Sequence, residues 1–306
     1  MKRPRKGRLA LLAAHAALVT RARPGVAPGQ SLPRLSRSVD GLVADAEWLA
    51  AYAQIVGWPL GAALPPLAPQ VLAMDLHLAL LADHAFPLRA LGLVHVANTT
   101  EELAVIEAGQ PLDLSAFIAG SREVARGVEL DLVTEARVAG QLVSRSTTIA
   151  LSRRGASRAT PRSSGNAPTD TSVPDDGVAL RSTIERVPED LGRRYARLAG
   201  DLNPIHQRAW MAKLFGFPCA IVHGMWTLGR ALAHYADTLP PIPRRIDVRF
   251  RKPVALPSSI ALRGFSLDSG ALRVVVSPPE GGTPHLEIDV QRVDPAERPT
   301  AREGVD

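Results

Sequence analysis

Midway along the chain, residues 153–177 (RRGASRATPRSSGNAPTDTSVPDDG) contain almost nothing that could be buried. A stretch this rich in Ser, Gly, Pro, Thr and Asp cannot repay the entropy of ordering itself, and it reads as a flexible linker. It constrains the fold more than any other feature, because no element of a single core can run through it. The rest of the body falls into residues 40–152 and 178–294, flanked by an arm (1–39) and a tail (295–306). Each part is long enough to bury a core of its own, and an apolar content of 46% supplies one.

The two parts resemble each other. Tyr52-Ala53-x-x-x-Gly57 recurs 143 residues later as Tyr195-Ala196-x-x-x-Gly200. Each helical segment leads into strand-like stretches, with 91–98 loosely matching 246–252. Each part also ends in a hairpin pattern. Segments 128–138 and 141–151 flank Ala139-Gly140, and 260–267 and 271–277 flank Asp268-Ser269-Gly270. A helix followed by an antiparallel meander, occurring twice, predicts a duplicated α+β unit. In the second part Pro188, Glu189 and Asp190 mark a helix start, and that helix ends near Gly200. A further helix over 224–236 turns Met225, Leu228, Leu232 and Tyr235 to one side.

Charge needs to be read by position. The formal net charge is +6, which would suit a polyanion partner. Residues 1–39 hold nine Lys or Arg and no acid, whereas 40–306 hold 27 basic and 30 acidic residues, a net of −3. The body is therefore slightly acidic, and no nucleic-acid partner is expected. The start (MKRPRKGR, then LALLAAHAALV) has the outline of a secretory signal. Its apolar run is 11 residues and includes His15, and no small-x-small site follows it. A span needs about 20 residues, so a basic helix on a cytoplasmic protein with no membrane span is the expectation. One cysteine, Cys219, excludes an intrachain disulfide framework and a cysteine-based zinc cage. His77 and His84, near Asp75 and Asp83, read as surface or second-layer polar residues rather than as metal ligands. No Gly-x-Ser-x-Gly elbow, phosphate loop or dinucleotide fingerprint occurs.

The stretch Gly200-Asp201-Leu202-Asn203-Pro204-Ile205-His206 carries the chemistry. On a helix, Asp201 and His206 would diverge; in a loop held by Asn203 and Pro204 they can converge on one water as an acid/base pair. The alternative is an Asx-type turn with a surface histidine. Val222-His223-Gly224-Met225 follows and opens the 224–236 helix, whose first-turn N–H groups suit a carbonyl oxygen that gains negative charge. That context favours the chemical reading.

These residues, with Gly216-Phe217 and Ile221-Val222-His223-Gly224-Met225, resemble the motif of the MaoC-like, (R)-specific enoyl-CoA hydratases (hydratase 2) over roughly 180–292. The resemblance implies an α+β double hot-dog, two repeats each with an antiparallel sheet wrapped around a central helix, the first repeat degenerate. It implies reversible hydration of a trans-2-enoyl-CoA to an (R)-3-hydroxyacyl-CoA, without cofactor or metal. By this likeness Asp201 and His206 are catalytic, Gly224 gives the oxyanion N–H, Asn203 orients, and Tyr195 contacts substrate. Dehydration of a 3-hydroxyacyl or polyketide thioester on acyl carrier protein is the alternative. A non-catalytic acyl-CoA-binding subunit is the alternative of another class. The partner is then an acyl-CoA thioester or a carrier protein, and a homodimer is admitted. At the 143-residue offset Trp58 and Ala63 replace Asp201 and His206, so the first repeat is expected to do no chemistry. By the same likeness it leaves room for a medium or long acyl chain.

Two further features belong here. Where the family often has Pro-Val-x-x-Gly-Asp, the chain has Pro253-Val254-Ala255-Leu256-Pro257-Ser258, an altered turn expected to leave the catalytic loop untouched. The basic residues Arg244, Arg245, Arg249, Arg251 and Lys252 alternate with Ile246, Val248 and Phe250. They read either as a solvated strand face or, through Arg249 and Lys252, as a site for CoA phosphates or an acidic carrier protein.

Overall fold

A computed structural model of the protein describes residues 20, 23, 25–27, 29–153 and 177–293. The interior of the 153–177 linker, the first nineteen residues of the arm and the tail 295–306 lie outside the described residues. Before the linker, β1 (Ser36–Leu42) leads to α1 (Ala46–Val56), α2 (Ala68–Leu72) and α3 (Met74–Ala82). Four long strands follow: β2 (Leu93–Glu102), β3 (Leu112–Val124), β4 (Gly127–Val138) and β5 (Gln141–Arg153). After the linker come β6 (Gly177–Val187), α4 (Leu191–Ala199), a 3₁₀ turn (Pro204–His206), α5 (Ala209–Lys213) and α6 (Gly224–His234). The chain then forms β7 (Arg244–Phe250), β8 (Ser258–Leu267), β9 (Leu272–Ser277) and β10 (Leu286–Arg292).

The strands form one ten-stranded sheet in the order β1-β3-β4-β5-β2-β7-β10-β9-β8-β6. Read from either edge inward, the order has the same logic, each strand of one half answering one of the other. Every pair is antiparallel. The expected hairpins at 139–140 and 268–270 are present as β4–β5 and β8–β9. The halves meet at β2 and β7, paired from Ala97↔Arg249 to Glu102↔Arg244. A buried Arg244–Glu102 ion pair and the Thr99 hydroxyl, donating to Asp247 Oδ1 at 2.6 Å, fasten this seam. This is the double hot-dog architecture.

The repeated Tyr-Ala-x-x-x-Gly is a helix end in both halves. Gly57 closes α1 and Gly200 closes α4 in the left-handed conformation (φ 73 and 86), each donating its N–H to the alanine of the motif. Glycine adopts this backbone without a Cβ penalty. On α6, Leu228 and Leu232 are fully buried, as is Tyr235 beyond its end. The described part of the arm lies on the first half. Arg23 donates to the carbonyl oxygens of Leu81 and Asp83 at 3.1 and 2.6 Å, and residues 36–39 already belong to β1. Among the described residues no helix is long and apolar enough to cross a membrane.

Candidate active site

The chain leaves α4 at Gly200 and enters a loop tied down by its own side chains. Asp201 Oδ1 accepts the Asn203 N–H at 3.2 Å, so the Asx turn is real. Asn203 Oδ1 accepts the Ile205 N–H at 3.3 Å, and its carbonyl accepts the His206 N–H at 3.1 Å. Asn203 thereby shapes the 3₁₀ turn on which His206 sits. Beneath that turn runs α4, where a Cβ on Gly192 would stand 2.2 Å from the His206 carbonyl oxygen. Only glycine permits the turn to seat so closely.

His206 is buried rather than a surface residue. Its Nδ1 lies 2.8 Å from the carbonyl oxygen of Ile221, which can only accept, so Nδ1 carries the proton and Nε2 the lone pair. That Nε2 stands 4.0 Å from Asp201 Oδ2. Ile221 is held in place by the altered turn: Val222 N donates to Val254 O at 3.0 Å, and Leu256 N to Ala220 O at 2.8 Å. The 253–258 segment thus braces the stretch that carries Ile221 by backbone hydrogen bonds on either side of it.

His223 joins them, and the sequence reading had not singled it out. Its ring stacks on His206 with centroids 3.7 Å apart, the Tyr195 ring lies 5.0 Å away, and its Nε2 donates to the Asp201 carbonyl oxygen at 3.0 Å. Its place just before Gly224 was the available signal. Gly224 begins α6, and a Cβ there would lie 2.8 Å from the Phe250 ring, so glycine lets this helix end approach β7.

Electrostatics separates the two central groups. Burial alone would raise the Asp201 carboxyl, but the imidazoles of His223 and His206 and the Asn203 N–H outweigh it and hold it below the ordinary range. Burial, then His223, depresses His206 to about 3, against the pull of Asp201. Near neutral pH the pair is a carboxylate facing a neutral imidazole. The donor atoms of Asp201, His206 and His223 lie within 4.8 Å of one another, as a metal site would require. With its Nε2 proton given to the Asp201 carbonyl, His223 keeps a lone pair on Nδ1 alone.

A cavity of about 560 Å³ collects Tyr195, Asp201, Asn203, His206, His223 and Gly224. Its other wall comes from the first half, including Met74, Leu78, His95 and Leu130. Trp58 and Ala63 are not among its lining residues. Lys252 lines the cavity, but Arg249 does not; it is exposed on the outward face of β7. Arg244 is buried against Glu102, Arg245 pairs with Asp247, and Arg251 pairs with Glu287. Of the basic stripe, Arg251 and Lys252 line the cavity, and Lys252 is the one with no ion pair among the described contacts. His77 is buried at 2.7 Å from Thr134 Oγ1 while His84 is exposed, so those two do not meet.

The chain is similar to known proteins along most of its length. The MaoC like domain family matches residues 169–273. The chain is 31% identical over 276 residues to 3-hydroxyacyl-thioester dehydratase X of Mycobacterium tuberculosis, covering 88% of this chain and 93% of that protein. The crystal structure of HtdX from the same organism superposes with a TM-score of 0.71 at 30% identity, covering 84% of this chain and 99% of that one. A probable enoyl-CoA hydratase 2 of Dictyostelium discoideum is 35% identical over 86 residues, 27% of this chain and 29% of that protein. With nearly the whole length of such a relative matched, the two-half sheet and the loop at its centre have one parentage: the chain belongs to the MaoC-like dehydratase family.

Proposed function

We propose that the protein interconverts trans-2-enoyl and (R)-3-hydroxyacyl thioesters by adding or removing water, with Asp201 and His206 as the acid/base pair. The observation that carries this reading is the 4.0 Å gap between Asp201 Oδ2 and His206 Nε2, opening on the same cavity as the N-terminus of α6. A water at an ordinary ~2.8 Å from both atoms would subtend roughly 90°, close to its own H–O–H angle. One water can therefore donate to both.

In the hydration direction the water oxygen bonds to C3 and its proton passes to the pair. The π electrons of C2=C3 move toward the carbonyl, whose oxygen takes enolate charge and is met by the Gly224 N–H. The proton then returns to C2 on the face the water came from, which makes the addition syn. Dehydration runs the same steps backward. Asn203 holds the turn, Tyr195 packs beside His223, and Lys252 meets the phosphates of CoA or an acidic carrier protein.

The test is turnover of 2-enoyl-CoAs of graded length, followed through the conjugated thioester absorbance, with chiral analysis of the product. An (R)-3-hydroxyacyl product is expected. Tight thioester binding with no turnover of any chain would make the protein a non-catalytic acyl-CoA-binding subunit. The relative named as a 3-hydroxyacyl-thioester dehydratase favours the dehydration direction as the working one, so 3-hydroxyacyl thioesters on CoA and on carrier protein belong in the same assay.

A further inference from the structure

The half without the Asp-His loop has an interior unlike that of its partner. In the second half, β7 and β10 turn Ile246, Val248, Ile288 and Val290 inward, as a core should. The answering strands β2 and β5 bury Asn98, Thr100, Ser146 and Thr148 instead. The fold therefore does not require polarity there. Gln70 of α2 completes a connected network. Its Nε2 donates to Thr148 Oγ1 at 2.7 Å, and its Oε1 accepts from Asn98 Nδ2 at 3.2 Å and Ser146 Oγ at 2.9 Å. Asn98 Nδ2 also reaches Thr148 Oγ1 at 3.0 Å, and the Thr100 hydroxyl donates to Asn98 Oδ1 at 2.9 Å.

Two members of this polar wall, Gln70 and Thr148, line the cavity that holds Asp201 and His206, and His77, bonded to Thr134, lines it beside them. His95 lines it as well, within electrostatic reach of Asp201 and His206 on one side and His77 on the other. Thr148 Oγ1 accepts twice, so its own proton is uncommitted among the described hydrogen bonds, as is the second N–H of Gln70. An alkyl chain laid against these donors would keep them from water without replacing it. A carbonyl or hydroxyl oxygen would accept from both.

We propose that the acyl chain of the substrate carries an oxygen function remote from the thioester, a keto or hydroxyl group received by Gln70 and Thr148, so that the first half selects oxygenated acyl thioesters. This inference rests on the hydro-lyase reading for its reaction but not for its binding. The test pairs 2-enoyl-CoAs of equal length, plain or with a hydroxyl or keto group stepped along the distal carbons. At the matching position kcat/KM should favour the oxygenated chain by ~10-fold or more. In Thr148→Val and Gln70→Met the ratio of oxygenated to plain substrate should fall toward one. Equal or better use of the plain chain at every position would overturn the proposal. Calorimetric binding of saturated acyl-CoAs with the same groups decides the matter independently of turnover. Selective binding without any hydration would sink the hydro-lyase reading and keep this one, and unselective binding would sink this one.

Discussion

Gly192→Ala puts the seating of His206 to the test without touching a reacting group. The new Cβ would lie 2.2 Å from the His206 carbonyl oxygen and 3.0 Å from Leu256 Cδ1. Ordinary contact begins near 3.4 Å, so the turn must retreat by about 1.2 Å. The clash is with backbone, and Leu256 closes another way out, so the displacement falls on the Pro204–His206 turn. A shift of about 1 Å in a reacting geometry can cost ~10²-fold, and that is the expected fall in kcat. Overpacking of this kind costs ~1–3 kcal/mol of stability, at roughly 2–4 °C of Tm per kcal/mol for 150–250 residues. The control is Gly264→Ala, whose Cβ would meet the Tyr235 ring at 2.5 Å, away from the cavity. It should lose stability and, for the fraction that is folded, keep kcat. Steady-state hydration rates, corrected by urea unfolding for folded fraction, distinguish the two. Gly192→Ala turning over at the wild-type rate would refute the reasoning, because the placement of His206 would then not matter.

Asp201→Asn keeps shape and removes charge at a partly buried side chain; turnover should drop ~10²–10⁴-fold with an unchanged circular dichroism spectrum, and retained activity would remove Asp201 from the chemistry. Because His206 and Asp201 are both shifted downward, kcat/KM should stay flat as the pH falls from about 8 through the ordinary histidine value of 6.5, with the acid limb well below it; an acid limb near 6.5 would contradict the buried neutral imidazole. The same burial links stability to pH. His77 is depressed to about 4 and His206 to about 3, so below 6.5 the unfolded chain binds the protons first. Stability present above 6.5 should be lost at up to ~1.4 kcal/mol per pH unit for each, measurable by urea unfolding at about pH 7 and 5. Lys252→Ala should raise KM for CoA thioesters several-fold with kcat unchanged, while Arg249→Ala, outside the cavity, should leave both alone.

What the chain reveals in advance follows the range of the interactions. The α4 end and the loop after it were legible because their hydrogen bonds close within a few residues: Gly200 to Ala196, Asn203 to Asp201, Ile205 to Asn203. The hairpins were legible for the same reason. His223 was not, since its place depends on the carbonyl of Asp201, 22 residues away. Arg249 lies outside the cavity, because alternation along β7 tells which residues share a face but not which face meets a cavity. Lys252 lies beyond the strand, where Arg251 and Lys252 both donate their N–H to the His285 carbonyl and the chain turns toward the opening. The first-half wall was the least legible part. It exists only because β2 pairs with β7 across 140 or more residues, and no local pattern encodes that.

The two halves differ at the helix ends that carry the repeated motif. Each helix end that carries the Tyr-Ala-x-x-x-Gly motif is touched by a tryptophan from the other half. Trp48 Nε1 donates to the Leu198 carbonyl at 3.3 Å, and Trp226 Nε1 to the Ile55 carbonyl at 2.8 Å. Beyond that point the symmetry breaks. At the end of α1, Arg230 of α6 also donates to the Val56 carbonyl at 3.3 Å and fills the space where a Cβ on Gly57 would stand. At the end of α4, the corresponding Gly200 opens instead into Asp201 and the turn that carries His206. One helix end meets α6 through Arg230, and the loop beyond the other lines the cavity together with Gly224 at the start of α6. A loop bearing reactive groups after Gly57 would compete with Arg230 for the same space. The first half thus brings no Asp-His loop to the cavity and supplies part of its wall instead.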